Sequence, residues 1–196
     1  MNRNFPLIAG VDEAGRGCLA GPVVAGAVIL PPEFPGEMLG DSKKMTEKQR
    51  EKSYEWIVNH AYCGIGFASA EEIDNLGIRP ATYLAMKRAI KKLQKTPDFL
   101  RIDGRDHFRF DIPSQEIIRG DSQFPEISAA SIIAKVSRDR YMKTISERYA
   151  PFGFHRHKGY GVAKHVRAIR EHGHTPLHRK SFNPLRKWLS QETLFQ

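Results

Sequence analysis

The sequence predicts an α/β fold, a mixed β-sheet flanked by helices with a small helical C-terminal subdomain. Three observations predict it. Two apolar strand-like runs, Leu7–Val11 and Val23–Leu30, lie close together near the start. Helix-like and strand-like stretches then alternate as far as Tyr149. Composition shifts near Ala150-Pro151 into a segment dense in Arg, Lys and His. The expected division is a main domain over 1–150, a basic helical subdomain over 151–189 and a flexible tail over 190–196.

Each element has its own local reason. Leu7 to Val11 reads as a buried strand, and Val23 to Leu30 as a second, ended by Pro31-Pro32. So short a separation favours an antiparallel hairpin. A helix is expected from Met45 onward: Thr46 and Gln49 have capping-box spacing, and Tyr54, Ile57 and Val58 supply an apolar face. Tyr62–Ala68 alternates as a third strand. Pro80–Leu93 is helical, with Leu84, Ala85, Ala89 and Leu93 on one side. Short strands are expected at Phe99–Ile102, ending at Asp103-Gly104, and at Glu116–Ile118, ending near Gly120-Asp121. The longest helix is expected over Ser128–Tyr149, its first half small and apolar. Gly153–Gly161 reads as a loop and Val162–His172 as a further helix.

Composition narrows the class. The chain has 196 residues, 40% of them apolar, enough for a real core. The longest apolar run, Val23–Leu30, is too short to span a bilayer, so no membrane partner is expected. No secretory leader pattern precedes the first strand, and Cys18 and Cys63 make no disulfide framework. A cytoplasmic protein with reduced thiols, monomeric by default, is the simplest reading. The net charge is +9, from 31 basic and 22 acidic residues. Between His155 and Lys187 nine Arg and Lys residues, Arg156, Lys158, Lys164, Arg167, Arg170, Arg179, Lys180, Arg186 and Lys187, face Glu171 alone, with six histidines among them. Such a stretch suits a polyanion, and nucleic acid is the expected partner.

Four acids share a context. Asp12 and Asp103 each end an apolar strand, Glu13 adjoins Asp12, and Asp121 follows its strand after Arg119-Gly120. If those strand ends lie together, four carboxylates converge. Their repulsion is tolerable when divalent cations neutralise it, and two Mg²⁺ or Mn²⁺ ions roughly 4 Å apart can drive phosphodiester hydrolysis. Asp106 and Asp111 are rivals for the third position; Asp103 is preferred for its place at the strand end. Just beyond the first pair, Gly15-Arg16-Gly17 lets the backbone approach a ligand closely. No nucleophile–base set competes: Ser128, Ser131 and Ser137 read as capping or packing residues, and the histidines lack a partner at zinc spacing.

Six motifs occur in order: Gly10-Val11-Asp12-Glu13-Ala14-Gly15-Arg16-Gly17, Asp41-Ser42-Lys43-Lys44, Ile102-Asp103-Gly104, Gly120-Asp121-Ser122, Ile127 to Lys135, and His157-Lys158-Gly159-Tyr160-Gly161. On these residues the chain resembles the bacterial ribonuclease HII family, from about Leu7 to about Leu189. The resemblance implies a ribonuclease H-like fold. It implies endonucleolytic hydrolysis of RNA in RNA–DNA hybrids and cutting 5′ to single ribonucleotides in duplex DNA, for ribonucleotide removal in replication and repair. By motif position, Asp12, Glu13, Asp103 and Asp121 are similar to the four metal-binding carboxylates. Gly15, Arg16 and Gly17 resemble the loop that senses the ribose 2′-hydroxyl, Tyr160 the residue stacking on the neighbouring deoxyribose, and Ser42 and Lys43 the phosphate-binding pair. Arg105 departs from the pattern, since family members often carry asparagine there. Ribonuclease HIII is similar too, but usually carries an extra N-terminal domain and a different glycine loop.

The tail, with Gln191, Leu194 and Phe195, resembles the short peptide by which bacterial proteins dock on the DNA sliding clamp. Two other functions fit parts of the chain. A non-enzymatic nucleic-acid-binding module would explain the basic C-terminal third but not the clustered acids. A resolvase on the same fold would have the acids without needing Gly-Arg-Gly.

Overall fold

The computed structural model describes residues 6–36, 39 and 45–192. Its strands are β1 (Ile8–Ala14), β2 (Val23–Ile29), β3 (Tyr62–Ala68), β4 (Phe99–Asp103) and β5 (Ser114–Ile117). They form one mixed sheet in the order β3-β2-β1-β4-β5. β1–β2 and β2–β3 are antiparallel, giving the expected hairpin, whereas β4 and β5 run parallel to β1. The helices are α1 (Glu47–His60), α2 (Ala70–Leu76), α3 (Ile78–Lys91), α4 (Pro125–Arg148), α5 (Phe154–His157), α6 (Ala163–His172) and α7 (Leu185–Glu192). Among the described residues no helix is long and apolar enough to cross a membrane.

Most expected elements are found, with shifts that have physical causes. Thr46 and Gln49 form the capping box of α1. A second box, Ser69 with Glu72, starts α2, a short helix absent from the sequence expectation. β5 begins at Ser114, two residues before the expected Glu116, because its polar residues pair with β4 from Leu100↔Ser114 to Asp103↔Ile117. α4 begins at Pro125, a favoured first helical residue, and Phe124 caps it without a side-chain bond. Ser128, Ser131 and Ser137 are therefore buried inside the helix and do not cap it. The loop expected over Gly153–Gly161 contains the short α5. α7 runs to Glu192, so the start of the expected flexible tail is helical; the rest of it lies outside the described residues.

Glycines let helices sit on the sheet. On one face α4 crosses β1 and β2. A Cβ added at Gly10 would lie 2.1 Å from the Glu126 carbonyl carbon, and one at Gly26 would lie 2.4 Å from the Ala130 oxygen. On β3, Gly64 and Gly66 leave the same space for α3, against Ala89 and Ala85. The α4 layer is completed by Ile132, Ile133 and Val136 with Val28 and Ile57. The other face packs Val11, Ala25, Leu100 and Ile102 against Ala81, Ala85, Met86 and Ala89.

The second half of α4 extends beyond the sheet and supports the C-terminal helices. Met142 joins Leu19, Phe152, Phe154, Ile169 and Leu185 in a separate apolar cluster. Two fully buried arginines bind the adjoining 15–22 loop. Arg138 on α4 donates to the carbonyls of Pro22 (2.9 Å), Ala20 (3.1 Å) and Lys158 (2.9 Å). Arg179 donates to those of Gly15 (2.7 Å), Arg16 (2.8 Å) and Gly21 (2.9 Å). Burial pushes the Arg179 guanidinium down to about 10, leaving it charged at neutral pH. The basic surface read from the sequence thus loses Arg179, and with it His165 and His178, which are also buried.

Three substitutions test this packing. Gly26→Ala is expected to destabilise the fold by about 1–3 kcal/mol in urea titration, because backbone must move to admit the methyl group. Gly36→Ala, with nothing within 4 Å of its new Cβ, should stay within ~0.5 kcal/mol of wild type. Arg179→Met is expected to cost about 1–3 kcal/mol for each carbonyl left buried without a donor.

Candidate active site

The parallel pairing of β1 and β4 assembles the site. Val11 lies opposite Ile102, so Asp12 and Asp103 leave the same end of neighbouring strands. On its other side Asp12 faces Gly26, and that glycine lets α4 bring Ser131 against the Asp12 carboxylate, to which its hydroxyl donates. Asp103 Oδ1 accepts the Gly120 amide at 2.7 Å. The turn Gly120–Ser122, which carries the buried Asp121, is thereby docked on Asp103. Arg119 enters that turn in the left-handed conformation (φ 57°), uncommon for a residue with a side chain.

These groups open into a cleft of about 540 Å³ lined by Asp12, Glu13, Ala14, Gly15 and Asp103 together with Arg50, Ser131, Lys135 and Tyr160. Asp121 does not line it directly. Gly15 is at φ 92°, and a Cβ there would strike Arg138 Nε at 2.0 Å, so only glycine fits. Gly17 has open space around it. The Tyr160 ring is 43% exposed and lies over Lys135 Nζ (5.8 Å) and the Arg138 guanidinium (5.9 Å). A larger cleft of about 660 Å³ at Phe67, Arg88, Tyr141 and Leu177 has no comparable chemistry; Arg88 there is held by Glu72 at 2.7 Å.

The electrostatics are those of a site built for positive charge. Burial raises the Asp12 carboxyl well above its ordinary value, and Glu13 and Asp103 push it the same way. The Ser131 hydroxyl and the Glu13 amide, 2.7 Å from Oδ1, act in the opposite sense. Burial raises Glu13 too, opposed by the Arg16 guanidinium 3.2 Å away. Arg16 also pairs with Asp106 at 2.8 Å, and Asp106 with Arg79 at 2.7 Å. Asp106, the rival acid, is thus a partner for arginines. Among the described residues no three Asp, Glu, His or Cys side chains already close into a metal-holding group. The donor set is nevertheless all carboxylate oxygen, on the ends of β1 and β4 and on the turn docked against Asp103, with repulsion that a hard divalent cation relieves, and it fits such an ion.

Ser42 and Lys43 lie outside the described residues. Sequence reasoning missed Ser131 as a site residue, and Arg50 and Lys135 with it. The small-residue pattern of α4 and the Gly10/Gly26 pair were the available signals, since together they require the helix to pass directly over Asp12.

The comparisons with known proteins agree with this geometry. The family model described as Ribonuclease HII matches residues 9–185. A relative named Ribonuclease HII from Coxiella burnetii (strain Dugway 5J108-111) is 53% identical over 184 residues, covering 92% of this chain and 90% of its own. The crystal structure of ribonuclease H2 from Pyrococcus horikoshii OT3 superposes with a TM-score of 0.79 at 25% identity, covering 94% of this chain and 97% of that one. The ribonuclease HII in a complex with PCNA from Archaeoglobus fulgidus superposes with a TM-score of 0.71 at 23% identity, covering 90% and 95%. A mixed sheet with acids at the ends of its parallel strands, matched over nearly its whole length by these relatives, places the chain in the ribonuclease HII family, as a ribonuclease H endonuclease.

Proposed function

We propose that this enzyme hydrolyses RNA in RNA–DNA hybrids and cuts 5′ to single ribonucleotides embedded in duplex DNA, leaving 5′-phosphate and 3′-hydroxyl ends. The supporting observation is that the strand-end acids, Gly15 and Tyr160 line one cleft. Asp12, Glu13, Asp103 and Asp121 would hold two Mg²⁺ or Mn²⁺ ions, with Asp121 on the leaving-group side. Such ions activate a water and stabilise the departing oxygen of a phosphodiester. Ser131 and the Glu13 amide orient Asp12 for this role, and Glu13 turns from Arg16 to join it.

The remaining residues select the substrate. The 2′-hydroxyl distinguishes RNA from DNA and both donates and accepts. The backbone of Gly15, Arg16 and Gly17 comes close enough to meet it. Tyr160 packs against the deoxyribose of the next nucleotide, where a further hydroxyl would crowd the ring. Lys135 and Arg50 face the phosphates of the cut strand, for which Ser42 and Lys43 would be the binding pair, and exposed Lys164, Arg167 and Arg170 extend that contact along the duplex. The tail docks the enzyme on the DNA sliding clamp through Gln191, Leu194 and Phe195, a reading supported by the PCNA complex of the Archaeoglobus relative.

The deciding assay offers a duplex with one ribonucleotide beside an all-DNA duplex, with and without Mg²⁺ or Mn²⁺. Metal-dependent cutting of the first alone is expected; equal cutting of both would defeat the proposed sensor. Asp12→Asn and Asp103→Asn should each reduce cutting to near background while hybrid binding persists in a filter assay. The raised Asp12 carboxyl has a second consequence. Between its ordinary value of 3.8 and the raised one, the folded protein binds more protons than the unfolded chain, so this group's contribution to stability falls as pH rises through that window. In chelator at neutral pH, Asp12→Asn is therefore expected to melt above wild type, and Mg²⁺ or Mn²⁺ should raise the Tm of wild type more than that of the variant.

A further inference from the structure

Beneath Tyr160 two buried imidazoles are in direct contact. His165 on α6 and His178 lie with their Nε2 atoms 3.1 Å apart, both almost fully buried. The outer nitrogen of each ring meets a group whose hydrogen-bonding sense is fixed. His178 Nδ1 faces the Thr175 backbone amide at 2.9 Å, which can only donate; the Thr175 hydroxyl, also at 2.9 Å, can act in either sense and follows the amide. His165 Nδ1 faces the Tyr160 carbonyl at 2.9 Å, which can only accept. With neutral rings the protons have one arrangement. His178 accepts at Nδ1 and donates from Nε2; His165 accepts at Nε2 and donates from Nδ1 to Tyr160. Burial holds both rings neutral, pushing His165 down to about 4 and His178 to about 3. His157 stacks on His165 at 4.5 Å and accepts the Gly159 amide.

Both ends of this chain reach the site. At one end is Tyr160. At the other, His178 is followed by Arg179, whose guanidinium holds the Gly15 and Arg16 carbonyls. The Arg179 amide also donates to the Leu19 carbonyl at 2.9 Å, and the Leu19 amide to that of Gly159 at 2.8 Å. The glycine loop, the tyrosine loop and the segment 175–179 are thus closed into one ring of hydrogen bonds.

We propose that His165 and His178 are positioning residues for substrate selection: a one-directional imidazole relay, from the Thr175 amide to the Tyr160 carbonyl, that sets the separation between the Tyr160 ring and the Gly15–Gly17 backbone. This rests on the reading of Tyr160 as the residue facing the deoxyribose. The relay touches neither substrate nor metal ligand. Its loss should blur the preference for a ribose-to-deoxyribose junction before it slows hydrolysis of a continuous hybrid.

The test measures kcat/KM on a single-ribonucleotide duplex and on a continuous hybrid, taking their ratio. His165→Phe, which keeps the ring volume and removes the donor, should lower the ratio roughly three- to tenfold, the scale of one lost hydrogen bond. His165→Asn, whose amide can reach the Tyr160 carbonyl, should recover most of it. In a Tyr160→Ala background His165→Phe should lower the ratio no further. If Tyr160→Ala alone leaves the ratio unchanged, the reading of Tyr160 fails. If Tyr160→Ala lowers it and a folded His165→Phe does not, the relay fails while the tyrosine stands. Independently of any variant, ¹⁵N spectra of the wild-type imidazoles should show His165 protonated at Nδ1 and His178 at Nε2; the opposite tautomers would overturn the relay.

Discussion

The direct seating of α4 on β1 and β2 is the constraint on which the rest depends. Where Gly10 and Gly26 carry no side chain, helix backbone meets strand backbone. That contact brings Ser131 to Asp12 and Lys135 to the rim of the cleft. It also fixes the direction of a helix about 36 Å long, since 24 residues rise 1.5 Å each. The far half of the same rod carries Arg138, Met142 and Ser146, which hold the 15–22 loop, the C-terminal apolar cluster and His155. The strand-end acids and the loops that carry Gly15 and Tyr160 are therefore indexed to one rigid element.

Much of this was legible in the sequence because local chemistry and tertiary outcome coincided. Strand ends were marked by the change from apolar residues to Asp12 and Asp103, and parallel pairing brings those ends together. The α1 capping box announced itself at Thr46 and Gln49. What stayed hidden depended on partners distant in the chain. The first half of β5, Ser114 and Gln115, is polar and pairs because β4 offers it an edge. α2 is brief, and its capping box adjoins a strand. His165, His178 and Arg179 have the composition of a phosphate-binding surface, yet each is buried with its donors and acceptors matched. Nothing local distinguishes such a histidine from an exposed one.

Arg16 shows how one residue can belong to two networks. Its side chain spans Glu13 and Asp106, while its carbonyl accepts Arg179. The first contact offsets part of the charge that burial makes costly at Glu13. The second holds the backbone of Gly15 and Arg16 independently of what the side chain contacts.

Among the described residues the two buried arginines beneath that loop have no carboxylate partner in the bonds that hold them; their donors go to carbonyls of Gly15, Arg16, Ala20, Gly21, Pro22 and Lys158. A trans peptide places its N–H opposite its C=O. Drawing the Gly15 and Arg16 oxygens inward therefore turns the N–H groups of Arg16 and Gly17 outward. The interior charge acts as a field that aligns backbone dipoles, presenting a positive lip of amides beside a cluster of acids. Fixed donors and fixed negative charge are thereby set side by side within one short stretch of chain.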